Sequence, residues 1–364
     1  MQRHIGNFPP GPSRPCPAIA AGALFALVLS GAACEEPAAG EGEGEGEGEP
    51  TGCDDPVLGG FVLAPGYVVI ESALLPIDTS FAGLSAQNGG PARLLGLRGD
   101  LLVYDFGALP TLAATPEPLF DALIDTDQAL APGSDVFPSF LVVGSTASAT
   151  GYTRASDFGG AIGAHPLTSG ASSYLDAPAN FSATLRGNVL IVSGAGLADA
   201  QDGLGLYATS ASAAFLLASL GTDAVASGYL AATTSGVLVA GQFTSENQLF
   251  AIAPGDVDDV LAGGPALSLA SRTAFLTGDY GALAGFGDAV AIARYDPATW
   301  GTTSLVDVAL PVAGGAVTPG TPVPILSQND GCTTGLPFLA PHQGDLLVGV
   351  ALPDGVRVVR IARE

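Results

Sequence analysis

The stretch Gly344-Asp345-Leu346-Leu347-Val348 joins a turn to an apolar strand, and the same combination recurs along the chain. Gly and Asp favour turns, whereas the Leu and Val residues that follow favour a strand. The upstream copies keep small or polar residues before an apolar run: Gly99-Asp100-Leu101-Leu102-Val103, Pro138-Ser139-Phe140-Leu141-Val142-Val143, Gly187-Asn188-Val189-Leu190-Ile191-Val192, Ser235-Gly236-Val237-Leu238-Val239 and Gly287-Asp288-Ala289-Val290-Ala291-Ile292. With Leu101, Leu141, Leu190, Leu238, Val290 and Leu347 taken as equivalent, the steps are 40 to 57 residues. Such a spacing indicates one supersecondary unit used several times.

Short apolar runs bounded by turn residues fill the segments between these copies. About four strands per unit of about fifty residues, in roughly six units, predict an all-β fold and specifically a β-propeller of about six four-stranded blades. A β-sandwich and a β-helix are the alternatives. With 51 Gly and 28 Pro in the chain, no long helix is expected. Short helical patterns are confined to Pro118–Leu130 and Asp256–Leu261.

A ring of blades must close, so one blade has to combine strands from both ends of the chain. We expect Phe61–Leu63 to complete the C-terminal blade. The same run and Tyr67–Ile70, which are separated by Pro65-Gly66, also have the signature of a hairpin. Further along, Phe140–Gly144 is expected to pair with Ala161–Leu167, and Ala266–Ala270 to be the fourth strand of its unit.

The charge of the chain is strongly negative. It has 35 acidic residues against 11 basic ones, all of them Arg, and a net charge of −24. This balance argues against nucleic acid and against an anionic lipid surface as partners, because both need a basic face. It is typical of a soluble protein that avoids self-association, and we expect a monomer.

One acidic cluster raises the alternative of a Ca²⁺ site, since that ion takes several hard oxygen ligands. Asp256, Asp258 and Asp259 resemble the start of a Ca²⁺ loop, but the Gly and the distant bidentate Glu of such a loop are missing. The signal for Ca²⁺ is weak, and a solvated turn or helix start is the favoured interpretation of the cluster. No other cofactor is indicated.

The N-terminus has the features of a secretory signal. Arg3 and Arg14 are followed by an apolar run over residues 18–29, which is too short to span a bilayer but suits a signal peptide. The run ends in Leu29-Ser30-Gly31-Ala32-Ala33-Cys34, which resembles the lipobox of bacterial lipoproteins. That resemblance implies cleavage before Cys34 and lipidation of its thiol. Gly31 stands where the family usually has Leu, so ordinary cleavage after Ala33 and a secreted or periplasmic protein remain the alternative.

The residues after Cys34 fit a tether between a membrane and a folded domain. Residues 35–50 read EEPAAGEGEGEGEGEP, and a segment so rich in Gly and Glu cannot form a core. The expected organisation is a signal peptide at 1–33, an acidic tether at 34–52 and the propeller at 53–364. The expected location is the bacterial cell envelope, at the outer membrane or cell surface, with the lipid on Cys34 as the contact with the membrane.

The same resemblance implies how the cysteines are used. Processing would remove Cys16 and lipidate Cys34, which leaves Cys53 and Cys332. In an oxidising compartment a remaining pair is most simply a disulfide. Because these residues sit near the two ends of the folded region, we expect their bond to clamp the closure of the ring.

Catalytic signatures are sparse in this sequence. The absence of Lys excludes Schiff-base, P-loop and Ser-x-x-Lys chemistry. His165 and His342 each adjoin a Pro at a strand edge, where a lone His is more typical of a rim residue than of a base or metal ligand. Tyr295 and Trp300 are candidates for a rim contact with a sugar or peptide, or for core positions.

Two functions follow from these observations. The first is a non-catalytic propeller that binds or scaffolds an envelope protein or polysaccharide. The alternative is a propeller hydrolase or lyase in which His165, His342 and several carboxylates converge at the central channel. A passive spacer is a third possibility.

Overall fold

A computed structural model gives the fold of the chain. It describes residues 52–74, 80–85, 92–98, 100–106, 117–118, 139–145, 150–156, 161–166, 173–176, 179–187, 189–195, 204–210, 216–221, 229–242, 247–299, 301–329, 331–332, 334–336 and 339–364. The first two strands, β1 (Phe61–Leu63) and β2 (Tyr67–Leu74), both join sheets formed by the C-terminal part of the chain.

The first three blades are antiparallel sheets in which consecutive strands are neighbours. Blade 1 contains β3 (Ser80–Ser85), β4 (Ala92–Arg98), β5 (Asp100–Phe106) and β6 (Glu117–Pro118). Blade 2 contains β7 (Ser139–Ser145), β8 (Thr150–Ser156), β9 (Ala161–Pro166) and β10 (Ser173–Asp176). Blade 3 contains β11 (Ala179–Arg186), β12 (Val189–Ala195), β13 (Leu204–Ser210) and β14 (Leu216–Gly221).

The last three blades follow the same order. Blade 4 contains β15 (Leu230–Ala232), β16 (Leu238–Gln242), β17 (Gln248–Ile252) and β18 (Leu276–Thr277). Blade 5 contains β19 (Tyr280–Phe286), β20 (Ala289–Tyr295), β21 (Thr302–Ala309) and β24 (Val323–Gln328), with the small hairpin of β22 (Val312–Ala313) and β23 (Ala316–Val317) inserted before β24. Blade 6 contains β25 (Leu339–His342), β26 (Asp345–Leu352) and β27 (Gly355–Arg363).

The first strands of the blades form a closed ring. The strand β3 contacts β7, and the contacts continue through β11, β15, β19 and β25 back to β3. Six antiparallel sheets arranged in this way are a six-bladed β-propeller, so the predicted fold class is confirmed.

The ring closes through β2, which pairs with β27 from Tyr67 opposite Arg363 to Leu74 opposite Arg357. The prediction that Phe61–Leu63 takes this role is wrong, because β1 pairs with β24 at the outer edge of blade 5. The predicted hairpin of β1 and β2 is therefore also absent. Pro65-Gly66 carries the chain from one blade to the next: Ala64 N–H donates to the Ile325 carbonyl at 2.9 Å, and Gly66 has a φ of 89°.

The structure changes three further details of the predicted strand pattern. Leu190, Leu238, Val290 and Leu347 do lie in the second strands of their blades, but Leu101 lies in a third strand and Leu141 in a first one. The strand β7 pairs with β8, which separates it from β9. The fourth strand of blade 4 is β18, and residues 266–270 are not a strand. A strand that is buried on both faces has a similar apolar sequence whether it is the first, second or third strand of its blade. The sequence pattern therefore does not indicate which of these strands it forms.

The short helical pattern predicted at Asp256–Leu261 lies in α1 (Pro254–Leu261), an eight-residue helix. It begins with Pro254 and buries Val257 and Val260. It extends the predicted turn at 256–261 by two residues. Within the described ranges, no helix is long and apolar enough to cross a membrane. Of the other predicted helix, Pro118–Leu130, Pro118 lies in strand β6 and residues 119–130 fall outside the described part of the chain.

Alternate residues of one strand pack against different neighbouring blades. In β16, Leu238 and Ala240 belong to the core between blades 3 and 4, whereas Val239 belongs to the core between blades 4 and 5. In β20, Ile292 faces that second core and Ala291 faces the core between blades 5 and 6. Successive side chains of a strand point to opposite faces of its sheet, so burial of both faces explains the nearly continuous apolar runs.

A polar cluster crosses the interface of blades 5 and 6 beside the closing strand. The Arg363 guanidinium donates to both carboxylate oxygens of Asp307 at 2.9 Å and to the Phe286 carbonyl at 3.0 Å. It also lies 3.9 Å from the centre of the Phe286 ring. The Tyr67 hydroxyl donates to Asp307 at 2.9 Å. Burial, followed by the charge of Asp307, raises the pKa of Tyr67 to about 12.

We predict that Asp307→Asn lowers the free energy of unfolding by about 2–4 kcal/mol, because Arg363 would lose the buried carboxylate that neutralises it. The control is Asp258→Asn, which breaks an ion pair whose carboxylate is 60% exposed and should cost about 1 kcal/mol or less. Urea unfolding at pH 7.5 measures both. Equal losses in the two variants would contradict a specific role of Asp307 in the closure.

Candidate binding surface

An open groove of about 500 Å³ lies beside β1, where the described chain enters the propeller. Its walls are the turn formed by residues 52–58, strand β1 and the side chain of Asn329. The volume is in the range of ligand and peptide pockets. The groove is therefore the candidate binding surface of this protein.

The turn that forms one wall is held by its own hydrogen bonds. Oδ1 of Asp55 accepts the N–H groups of Val57 and Leu58, both at 2.7 Å, and the Asp55 carbonyl accepts the N–H of Gly59 at 2.8 Å. An Asp side chain that accepts backbone N–H groups two and three residues ahead is a common way to fix a turn. The sequence Asp54-Asp55-Pro56 thus supplies both the shape and the negative charge of this wall.

Asn329 ties the turn to the end of blade 5. Its side-chain amide donates to the Gly52 carbonyl at 2.9 Å, and its backbone N–H donates to the Gly60 carbonyl at 2.7 Å. Gly60 also donates its N–H to Thr334 Oγ1 at 2.9 Å. These bonds join residues that are 269 to 277 positions apart in the chain, and they fix the groove relative to the propeller.

A disulfide reinforces the same connection. Cys53 and Cys332 are bonded, with Sγ atoms 2.04 Å apart and Cα atoms 5.5 Å apart. The predicted pairing is therefore present, but its place differs from the prediction. It fastens the turn before β1 to the segment after β24, at blade 5, whereas the ring closes through β2 and β27 in blade 6. Gly60 must be small here, because a Cβ on it would overlap the side chain of Cys332.

The third wall is the free edge of a sheet, since β1 is the last strand of its five-stranded sheet. Ala64 N–H and the Gly60 carbonyl both point to β24. Backbone groups of an antiparallel strand alternate in direction with a period of two residues. The N–H and carbonyl of Leu63 therefore point away from β24, toward the groove. Val62 is 52% exposed on this edge.

The groove has a one-sided electrostatic character. Asp54 and Asp55 line it, and none of its described lining residues is Arg. Asp55 uses one carboxylate oxygen to fix the turn, as described above. The charged residues among its described lining are thus both acidic, and Asp55 is committed to the turn.

The two predicted His candidates are not brought together. His165 lies in β9, the third strand of blade 2, and His342 lies in β25, the first strand of blade 6. Blade 1 separates these two blades in the ring. The convergence of His165, His342 and carboxylates that a hydrolase or lyase would use is thus not formed between these residues.

His342 is nevertheless unusual, because it is buried with only 7% of its surface exposed. Burial, and next the charge of Arg360, lowers its pKa, and its Nδ1 atom has no hydrogen-bond partner among the described residues. The two carboxylates whose charges oppose this shift, Asp345 and Glu71, accept hydrogen bonds from Arg360 at 2.7 Å and 2.8 Å. His342 is a core residue of blade 6 and not the rim residue that the sequence suggested.

The three candidate Ca²⁺ ligands lie on α1, and two of them are ion-paired. Asp256 contacts Arg272 and Asp258 contacts Arg186, both at 2.8 Å. The hydrogen bond from Arg186 lowers the pKa of Asp258. Within the part of the chain that the structure describes, no three His, Cys, Asp or Glu side chains group as a metal site. The arrangement matches the helix start that was the alternative interpretation.

Of the two aromatic candidates, Tyr295 belongs to the described residues and Trp300 does not. Tyr295 ends β20 and is partly buried, and burial, followed by the charge of Asp279, raises its pKa. Trp300 lies outside the described residues. Sequence reasoning missed the groove itself, because the outer edge of β1 exists only once β1 has joined blade 5.

Comparisons with known proteins identify no family for this chain. No protein-family model matches the sequence, and no curated protein matches it. Among solved structures, the chain is similar to the crystal structure of RRP9 WD40 repeats, with 9% sequence identity and a TM-score of 0.43, over 82% of this chain and 98% of that one. The class of protein is a six-bladed β-propeller, and this assignment rests on the sheet order and the ring of first strands.

Removal of the disulfide should destabilise the propeller. We predict that the double variant Cys53→Ser/Cys332→Ser loses about 2–5 kcal/mol of unfolding free energy, because the bond closes a long loop in the unfolded chain. Urea unfolding with and without reductant measures the loss. Reductant should lower the stability of the wild type to that of the variant and leave the variant unchanged; an unchanged wild type would contradict the prediction.

Stability should also fall as the pH drops below the ordinary pKa of His, near 6.5. The unfolded chain then takes up a proton at residue 342, whereas the lowered pKa keeps the buried imidazole neutral in the folded state. We predict that the unfolding free energy of wild type decreases more between pH 7.5 and 5.5 than that of His342→Gln, with a difference of at most about 1.4 kcal/mol per pH unit. Equal decreases in the two proteins would contradict it.

Proposed function

We propose that this protein is a lipid-anchored binding or scaffold protein of the bacterial cell envelope whose propeller holds a protein partner without catalysing a reaction on it. The observation that carries the binding function is the groove at the free edge of β1. It places the exposed side chain of Val62 beside outward-directed backbone groups of β1, and an exposed strand edge is a recurrent site of peptide recognition.

The anchor is supported by the sequence that precedes the propeller. The lipobox-like stretch ends at Cys34, and the Gly/Glu segment separates Cys34 from Cys53 by 19 residues. A Gly-rich coil of that length spans roughly 25 Å, and more where like charges extend it. The propeller would then stand a short distance from the membrane, with residues 1–33 removed as signal peptide and residues 34–52 serving as the tether.

The position of the groove suits such an anchor. Gly52, the first described residue, lines the groove, so the tether would reach the propeller at the binding surface. A partner held there would be kept close to the membrane. The outer membrane or cell surface is the proposed location, with the secreted or periplasmic form as the alternative that the following experiment separates.

The anchor predicts a specific mass and a specific effect of one substitution. Intact mass spectrometry of the membrane fraction should find a chain that starts at Cys34 and carries diacylglycerol and an acyl chain. Cys34→Ser should move the protein to the soluble fraction, whereas the matched control Cys16→Ser should leave both mass and fraction unchanged because that residue belongs to the removed segment. An unlipidated wild-type chain with another start would overturn the anchor.

The binding function needs its own test. A photo-reactive amino acid placed at Val62, Val312 or Leu217, which are all at least 40% exposed, samples different parts of the propeller surface in living cells. A discrete cross-linked protein from at least one position, identified by mass and absent without light, is the expected result. The absence of a discrete adduct from all three positions would overturn the binding function.

A further inference from the structure

We propose that the corner between β25 and β26, residues 342–345, is an acid-sensitive contact of the propeller ring. As the pH falls below about 6.5, His342 takes up a proton, and the corner opens and frees the inner strand of blade 6 from its neighbours. This opening would regulate closure of the ring, and it does not depend on the proposed binding function.

The corner lies at the inner edge of blade 6, where the last blade of the ring meets the first. Strand β25 contacts β19 of blade 5 on one side and β3 of blade 1 on the other. It is four residues long and is the end strand of its sheet, so few hydrogen bonds have to break to displace it. A strand of this kind can open locally while the rest of the propeller stays folded.

The side chain of His342 is turned toward blade 1. Leu346, which lies opposite Pro341, belongs to the core between blades 5 and 6. Successive side chains of a strand point to opposite faces of the sheet, so His342 and the opposing Asp345 lie on the other face. The buried imidazole is therefore held at the contact between the last and the first blade.

The charged groups around His342 do not stabilise a proton on it in the closed corner. Arg360 opposes the proton, whereas Asp345 and Glu71 favour it but are already bound by Arg360. The neighbouring strand β3 contains no titratable side chain, and β19 contains only Tyr280, whose hydroxyl donates to a backbone carbonyl of blade 4. Burial is the largest effect on the pKa of His342 and lowers it, so the closed corner keeps the imidazole neutral.

Two further features make the closed corner costly in free energy. Nδ1 of His342 is buried without a hydrogen-bond partner among the described residues, and it would gain one from water on opening. Gln343 has a φ of 52° and is the one residue other than Gly with a positive φ in the described part of the chain. That backbone region is strained for a residue with a Cβ. Opening relieves both costs together with the exclusion of the proton, and only the last of the three depends on pH.

Proton linkage sets the size of the effect. In the open corner the imidazole is in water and has the ordinary pKa of His, near 6.5. Between pH 7.5 and 5.5 the open state therefore gains up to about tenfold over the closed state, in which the imidazole stays neutral. This pH range lies above the range in which carboxyl groups ordinarily titrate, so the change reports on histidine.

Hydrogen exchange of the full chain, followed by mass spectrometry at pH 7.5 and 5.5, measures local opening while the protein is folded. After correction for the intrinsic exchange rate at each pH, peptides from residues 339–348 should lose protection about three- to tenfold at pH 5.5. Strand β16, which is buried in a blade without His, is the internal reference and should keep its protection.

Variants assign the effect to the corner. His342→Gln should make the protection of residues 339–348 equal at the two pH values. The matched control His165→Gln removes the other His of the propeller and should retain the wild-type loss of protection. Gln343→Gly relieves the backbone strain and should raise protection of the corner about two- to fivefold at both pH values. Because it retains His342, this variant should keep the pH dependence, and it tests the corner even where His342→Gln does not fold.

Any of three results would overturn the proposal. The first is unchanged protection of residues 339–348 at pH 5.5. The second is an equal loss in β16, which would mean that only global unfolding responds to pH. The third is a loss in His342→Gln as large as that in wild type. The cross-linking experiment on the binding function is independent of all three, so failure of the acid-sensitive corner leaves that function untouched.

Discussion

Closure of the ring is the constraint on which the rest of this structure depends. Each blade buries both faces against its neighbours, so an open ring would leave two apolar sheet faces in water. The pairing of β2 with β27 prevents this, and the cluster of Tyr67, Asp307 and Arg363 fastens the closing strand to blade 5. The pairing and the polar cluster thus hold β2 against β27 and blade 6 against blade 5, where the ring would otherwise open.

The place of the closing strand also determines where the candidate binding surface lies. Strand β1 pairs with β24 at the edge of blade 5, whereas β2 belongs to blade 6. The three residues between β1 and β2 therefore connect the two blades. The turn at 52–58, the disulfide and Asn329 then form a groove beside that edge. The segment that closes the ring through β2 thus also contributes, through β1, the surface that we propose for binding.

Arginine and carboxylate pairs have a consistent role in the described part of this acidic protein. Arg360 joins Glu71 on β2 to Asp345 on β26, and Arg363 joins blade 6 to blade 5. Two of these partly buried pairs connect strands that are distant in sequence, since Arg360 and Glu71 are 289 positions apart and Arg363 and Asp307 are 56 apart. Arg360 also contributes, after burial, to the lowered pKa of the nearby His342 imidazole.

The sequence by itself determined the repeated β fold and the acidic composition of the chain, because repeated apolar runs and composition are local properties. The pairing of Cys53 with Cys332 followed only from the resemblance to a lipoprotein, which assigns the other two cysteines to the processed N-terminus. The sequence did not determine which N-terminal run closes the ring, since Phe61–Leu63 and Tyr67–Leu74 are both short apolar strands and differ only in the neighbours that the fold gives them. For the same reason it placed Leu101 and Leu141 in the wrong strands, His342 at the rim, and no groove beside β1. Those features depend on which residues the tertiary structure brings together, because a sheet edge becomes free, and a His becomes buried, only when the blades have packed around the ring.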